Sequence, residues 1–249
     1  KIVVFTYPNY SHNTGILALL KELINQGNDI YCFGKDTFEE IYYNTNINFI
    51  KYPNTVESYF GNINKAYIDD LNKPSDNDII ESLIYRGIFN TNFALKVSKN
   101  YKDLLIDKVK EINPDIILRD SCALFGKMIG EHLNIKVLGY ITNLVITKDY
   151  ILKNIQKNFS DAMGRDLSFL SQVELAHIFS RLECGIEDLC EKYSISKIPS
   201  LFTLDPGEEF NIIFSCKKLQ PELHSKNFYK YKIVSPSLFS EIFTMQFRL

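Results

Sequence analysis

The first fifty residues of the chain alternate between short apolar runs and longer amphipathic stretches, and this alternation leaves few architectures open. Residues 2–6, 29–33 and 48–52 have the length and the β-branched or aromatic content of strands. Between them, 16–24 carries apolar side chains at helical spacing, and 36–43 begins with an acidic first turn. Parallel neighbouring strands need crossover connections, which helices supply. The opening therefore predicts a parallel sheet covered by helices.

The rest of the chain continues the pattern at wider spacing. Residues 54–82, rich in Asn, Asp, Lys and Ser, predict a long surface excursion, followed by a helix over 84–112 that breaks near Asn100. Another helix is expected over 122–133, and helices again from 140 to about 193. The expected later strands are 115–118, 136–141, 211–214 and 232–234. The predicted fold class is α/β, a Rossmann-like and mostly parallel sheet with helices on both faces.

Composition and charge argue against several functional classes. The 28 Lys and Arg residues nearly balance the 30 Asp and Glu residues, and a net charge of −2 does not suit a strongly basic nucleic-acid binder. No apolar run approaches the roughly 20 residues of a membrane span, and no signal-peptide pattern follows Lys1. We therefore expect a cytoplasmic protein with no membrane span and no nucleic-acid partner.

The cysteines support neither a disulfide framework nor a zinc site. They are odd in number and irregularly spaced, without a C-x-x-C pair or a histidine at ligand distance in the sequence. We expect buried or half-buried free thiols. The five are Cys32, Cys122, Cys184, Cys190 and Cys216.

Two residues stand where ligands bind in an open parallel sheet, beyond the carboxyl ends of the strands. His12 lies in the turn between the first predicted strand and its helix, and Asp120 follows the predicted strand that begins at Asp115. Both are expected to project from the same edge. A neutral imidazole there can take a proton from a substrate hydroxyl, while a carboxylate on its other nitrogen fixes the tautomer. Plainer interpretations stay open: a polar surface histidine, and an aspartate that only caps a helix.

Other catalytic motifs are absent from the sequence. It contains no G-x-G-x-x-G after the first strand, no G-x-x-x-x-G-K-[ST] and no G-x-S-x-G. These absences argue against a nicotinamide or flavin enzyme, a nucleoside triphosphatase and a serine hydrolase. His132, His177 and His224 have no paired ligands in the sequence and are interpreted as structural or surface residues. No cofactor and no metal site is predicted.

Two blocks around these residues resemble the two-domain, B-fold glycosyltransferases that act on macrolides and plant secondary metabolites. In that family the first strand leads into a G-H-x-x-P turn, and here 11–15 reads Ser-His-Asn-Thr-Gly. The family's P-D-x-[VI]-[VI]-x-D segment looks like 114–120, which reads Pro-Asp-Ile-Ile-Leu-Arg-Asp. The resemblance implies that His12 is the general base and that Asp120 orients it.

A third block extends the resemblance toward the end of the chain. Residues 210–214, 219–221 and 231–238 are similar to elements that end the first domain in the bacterial macrolide glycosyltransferases. By this likeness, 1–235 forms a Rossmann-like acceptor-binding domain and 236–249 begins the linker. The family's donor motifs, an H-x-G-x-x-[ST] turn and a downstream D-Q pair, are absent. The resemblance implies an acceptor-binding half: an expression fragment, a natural truncation or one subunit of a split enzyme, whose donor domain is missing or separate.

The resemblance also implies a reaction. The complete enzyme would be an inverting UDP-glycosyltransferase in which a hydroxyl of a small hydrophobic acceptor attacks the anomeric carbon of a co-substrate UDP-hexose, with no obligatory metal. Phe89, Phe93 and Tyr140 are the predicted walls of the acceptor pocket, with ordinary core packing as the alternative. The chain by itself is expected to lack the donor site and to be inactive. Two other functions stay open: a non-catalytic module that binds a ligand or partner, and a doubly wound protein of unrelated chemistry.

Overall fold

A single parallel sheet forms the centre of the protein. The computed structural model describes residues 1–53, 79–163, 166–199, 205–215, 218–220 and 229–234. The strands in these ranges are β1 (Ile2–Phe5), β2 (Ile30–Gly34), β3 (Asn48–Lys51), β4 (Ile116–Asp120), β5 (Lys136–Ile141), β6 (Asn211–Phe214) and β7 (Tyr231–Val234). They form one sheet in the order β3-β2-β1-β4-β5-β6-β7, and every neighbouring pair is parallel. The predicted α/β, Rossmann-like fold is confirmed.

Helices connect the strands and cover the sheet. Those in the described ranges are α1 (Tyr10–Asn25), α2 (Ile79–Ile112), α3 (Leu124–Leu133), α4 (Lys148–Lys153), α5 (Ile155–Met163) and α6 (Gln172–Tyr193). The helix predicted over 36–43 is a 3-10 helix, Asp36–Tyr42. Of the predicted surface excursion, 54–78 lies outside the described residues, and so does the predicted linker at 236–249.

The predicted break near Asn100 is wrong, because α2 runs without interruption and begins five residues before the predicted start. Asn100 itself is exposed, whereas Leu95, Tyr101 and Leu105 on the opposite side of the helix are buried. An exposed asparagine costs a helix only a fraction of a kcal/mol, about 0.7 at most. The continuous buried stripe outweighs that cost.

The two faces of the sheet carry separate cores. On one face, Val3 and Phe5 of β1 pack with Phe125 of α3 and with the second half of α2. On the other face, the alternating residue Val4 packs with Ile16 of α1, since neighbouring side chains in a strand point to opposite sides. Packing on both faces therefore fixes the positions of the carboxyl ends of the strands.

Helix α2 projects well beyond the sheet. Its 34 residues make it about 51 Å long, whereas β5 has only 6 residues and spans about 20 Å. Because α2 ends at Ile112, just before β4 begins, its first half lies beyond the carboxyl edge. There Ile84 joins an apolar cluster formed with α4, α5 and α6 that contains no strand residue. A helical layer thus stands above the edge where the site is expected.

None of the described helices combines the length and the apolar character that crossing a lipid bilayer requires. The cysteines in the described ranges are free thiols, and the expectation that they are buried holds for Cys32 and Cys190 but is wrong for Cys122 and Cys184, which are exposed. Cys216 lies outside these ranges.

Candidate active site

The turn after β1 is built by a side chain that satisfies free N–H groups at the start of α1. Asn9 is the N-cap residue, and its Oδ1 accepts hydrogen bonds from the backbone N–H of Ser11 at 3.1 Å and from the Ser11 hydroxyl at 3.0 Å. This cap starts α1 at Tyr10. His12 therefore lies in the first turn of the helix. The prediction that placed it in a loop before the helix is wrong, because α1 begins a few residues earlier than predicted.

Buried Asn13 fastens this first helical turn to the end of β1. Its Nδ2 donates to the backbone carbonyls of Tyr7 at 2.9 Å and Asn9 at 2.7 Å. Its Oδ1 accepts a hydrogen bond of 2.8 Å from the hydroxyl of Tyr42. Because Asn13 is the next residue along the helix, these three bonds fix the backbone from which the His12 imidazole projects. Sequence reasoning did not identify Asn13 as part of the site.

We expect Tyr42→Phe to lower the free energy of unfolding by about 1–3 kcal/mol, because it leaves the fully buried Oδ1 of Asn13 without a donor. Urea unfolding followed by circular dichroism measures the change. The matched control is Tyr43→Phe, since Tyr43 is 62% exposed and should leave the unfolding curve in place. Superimposable curves for wild type and Tyr42→Phe would contradict this role of the hydroxyl.

Asp120 ends β4 and is completely buried. Its Oδ1 accepts a hydrogen bond of 2.9 Å from the backbone N–H of Cys122, so it closes the turn that follows the strand. The alternative that Asp120 only caps the next helix does not fit, because the N-cap of α3 is Ala123 and no side chain caps that helix. The second carboxylate oxygen is therefore left to bind elsewhere.

That second oxygen meets the imidazole of His12. Asp120 Oδ2 lies 2.7 Å from His12 Nδ1, although 108 residues separate the two in the chain. The Asp120 side chain is inaccessible, whereas that of His12 keeps 11% of its surface exposed. The ring of Tyr7 lies beside the imidazole, with 5.1 Å between ring centroids. The structure thus brings together the two residues that the sequence placed at one edge of the sheet.

The contact determines what the imidazole can do. An ionised carboxylate can only accept hydrogen bonds, so in a neutral imidazole beside it Nδ1 carries the hydrogen and Nε2 keeps a lone pair. If Nε2 takes up a proton, the adjacent carboxylate stabilises the resulting imidazolium. This arrangement suits a general base acting on a hydroxyl or a water molecule. Among the described residues, no group of three or more His, Cys, Asp or Glu side chains is arranged to hold a metal ion.

The three predicted wall residues lie in different environments. Phe89 is 47% exposed on the first half of α2, where it stacks on Tyr85 with 5.9 Å between ring centroids. Phe93 is partly buried against the core beneath α2 and α3. Phe89 thus offers surface to a ligand, whereas Phe93 offers little.

Tyr140 differs from its predicted role as a wall. It is fully buried on β5, where its ring packs edge-on against Phe214 at 6.1 Å. Its side chain belongs to the core between the sheet and α1 and presents no surface to a ligand. Burial, and then the charge of neighbouring Asp120, raises the pKa of Tyr140 well above its usual value, so the phenol stays neutral.

Two cavities of about 290 Å³ each lie away from this pair, near the segment that precedes β6. Both are lined by Lys148, Asp205 and Lys230, and neither is lined by His12 or Asp120. Their charges are matched within the protein: Lys148 lies 2.5 Å from Glu183, for example. A lining of paired charges offers no net attraction to an anion or a cation, and we assign no ligand to it.

The sequence matches no protein-family model and no curated protein. The solved glycosyltransferase of kitacinnamycin matches 94% of this chain and 51% of its own, with a TM-score of 0.58 and 15% identity. The calicheamicin glycosyltransferase matches 95% of this chain and 53% of its own, with a TM-score of 0.58 and 13% identity.

A third structure, the spinosyn rhamnosyltransferase complexed with thymidine diphosphate, matches 94% of this chain and 49% of its own, with a TM-score of 0.50 and 13% identity. The chain spans about half the length of these solved structures. Identities this low establish the fold and not the activity. The chain thus has the Rossmann-like fold of one half of a B-fold, natural-product glycosyltransferase.

Proposed function

We propose that this chain is the acceptor-binding half of a nucleotide-sugar-dependent, inverting glycosyltransferase that transfers a hexosyl group to a hydroxyl of a small hydrophobic acceptor. The observation that carries the proposal is the 2.7 Å contact between His12 Nδ1 and Asp120 Oδ2. It lies beyond the carboxyl ends of β1 and β4, where open parallel sheets bind their ligands. The fold shared with solved glycosyltransferases supports this proposal. The His12–Asp120 pair adds a candidate general base, which the fold alone does not imply.

The mechanism follows from the free nitrogen of His12. Nε2 takes the proton of the acceptor hydroxyl as the hydroxyl oxygen attacks the anomeric carbon of the sugar. The new glycosidic C–O bond forms while the bond from that carbon to the nucleoside diphosphate breaks, and the diphosphate leaves with the electron pair. Attack from the opposite side inverts the configuration. Asp120 stabilises the imidazolium that forms, and no step of this scheme uses a metal ion.

The acceptor would lie over His12, beside the helical layer above the carboxyl edge. Exposed Phe89 is our candidate contact, because its ring faces solvent in that layer and small-molecule sites are lined mainly by apolar and aromatic groups. Residues 1–235 would form this acceptor domain and 236–249 would begin the linker. The donor, a UDP-hexose, would be bound by a second domain of similar size, on the same or a separate chain.

Sugar transfer by the complete polypeptide tests this proposal. The full gene product, or this chain mixed with a separately encoded donor chain, is incubated with labelled UDP-hexose and a panel of hydroxylated hydrophobic acceptors. We expect a labelled glycoside whose anomeric configuration, read by NMR, is inverted relative to the donor. Calorimetry on residues 1–249 should show no binding of UDP-hexose. Acceptor binding without any transfer by the complete polypeptide would favour the non-catalytic ligand module instead.

A further inference from the structure

The turn that follows β4, residues 120–122, is called the Asp120 turn. Next to it lies a group of buried charged side chains that the proposed mechanism does not use. The guanidinium of Arg119 donates from Nε to Glu208 Oε1 at 2.7 Å, and Lys127 Nζ donates to Glu208 Oε2 at 3.1 Å. All three side chains are more than nine-tenths buried. Taking charges out of water is costly, and apolar residues of similar volume often stabilise a fold as well. Stability alone therefore does not explain why a guanidinium occupies this position.

One of the two terminal nitrogens of Arg119 binds the backbone of the turn that carries Asp120, and the other binds the segment that carries Glu208. Nη1 lies 3.1 Å from the carbonyl oxygen of Asp120 and 3.1 Å from that of Ser121. Nη2 donates to the carbonyl oxygen of Pro206. A rigid planar fork can serve several acceptors at fixed angles, which an ammonium group cannot. The guanidinium thus joins the turn to the segment that carries Glu208.

The side chains of Arg119 and Asp120 lie on opposite faces of the sheet. Arg119 and Asp120 are neighbours in β4, so their side chains leave the strand on opposite faces. Arg119 holds the turn from the face covered by α3, where a Cβ added at Gly126 would lie 3.0 Å from the Arg119 Cβ. The Asp120 carboxylate points to the other face and meets His12. The guanidinium thus binds, from one face of the sheet, the backbone that carries the carboxylate on the other face.

We propose that Arg119 is a positioning residue that fixes the Asp120 carboxylate against His12, with Glu208 holding the guanidinium in place. The catalytic role of the His12–Asp120 pair rests on the proposed function, whereas the positioning of Asp120 by Arg119 does not. Lys127 provides the comparison, because it binds the same Glu208 carboxylate while its other ion pair goes to Glu131 and not to the turn. If the buried charges served only to stabilise the fold, Arg119 would affect the contact between His12 and Asp120 no more than Lys127 does.

The test compares Arg119→Lys with Lys127→Met in two measurements. The first is the NMR resonance of the His12 Nδ1 hydrogen in the full chain, assigned by its loss in His12→Ala. The second is turnover by the complete enzyme. In Arg119→Lys we expect the resonance to move upfield and kcat to fall about ten- to a hundredfold at unchanged acceptor KM, because a small misplacement of catalytic groups costs rate rather than binding. Lys127→Met should keep both at wild-type values.

Several outcomes would overturn the positioning role. An unshifted resonance with full turnover in Arg119→Lys would do so, and so would equal changes in the two variants. If Arg119→Lys does not fold, Glu208→Gln decides the question, since its amide oxygen still accepts from Nε and should give a smaller shift in the same direction. A shifted resonance in a protein that transfers no sugar would leave Arg119 as the positioning residue and remove the proposed function instead.

Discussion

In the complete enzyme we expect His12→Ala to reduce kcat for sugar transfer by about 10²- to 10⁴-fold, the usual contribution of a positioned general base. The substitution removes Nε2, the atom that takes the proton from the acceptor hydroxyl in the proposed mechanism. It leaves the backbone of α1 in place, because Asn9 and Asn13 hold that turn through their own side chains. Initial rates with saturating donor and acceptor measure the loss, and equilibrium dialysis measures acceptor binding, which should change little.

His177→Ala is the matched control. His177 is exposed on α6, and its removal should leave both kcat and acceptor binding at wild-type values. Transfer at the wild-type rate in His12→Ala would contradict the assignment of the general base. A large loss of acceptor binding with unchanged kcat would contradict it as well, since that result would mark His12 as a binding residue.

Much of the sheet is predictable because strands buried on both faces appear in the sequence as short apolar runs. β1 is buried at every position, and so is β4, although β4 ends in Arg119 and Asp120. Parallel strands align their carboxyl ends, and the register pairs Phe5 with Arg119. For this reason a histidine after β1 and an aspartate after β4 could be placed at one edge of the sheet from the sequence alone.

The supporting contacts could not be predicted in the same way. Glu208 reaches Arg119 across 89 residues, and no local pattern indicates such a partner. The burial of Tyr140 follows from the packing of α1 on its face of the sheet, a contact between segments more than 100 residues apart in the sequence. Asn13 did leave a signal, because it shares the buried stripe of α1 with Ile16. An amide in such a stripe needs buried hydrogen-bond partners.

Asp120→Asn should produce the second large loss, through the tautomer of His12. The Cys122 backbone N–H donates to Oδ1 of Asp120 in the wild type. An asparagine keeps that bond only if its carbonyl oxygen faces Cys122, which turns its NH₂ group toward His12 Nδ1. Nδ1 must then accept, the ring hydrogen moves to Nε2, and the base has no lone pair for the acceptor proton. We expect kcat to fall by about 10²- to 10⁴-fold.

The ¹⁵N chemical shifts of labelled histidine report this change directly, since they distinguish the two neutral tautomers. We expect hydrogen on Nδ1 in the wild type and on Nε2 in Asp120→Asn. Asp107→Asn, a substitution of an exposed carboxylate on α2, is the control and should alter neither the tautomer nor the rate. If Asp120→Asn keeps the hydrogen on Nδ1 and still loses kcat, the carboxylate acts through its charge on the imidazolium rather than by fixing the tautomer. If it keeps both the hydrogen and the rate, Asp120 has no part in catalysis.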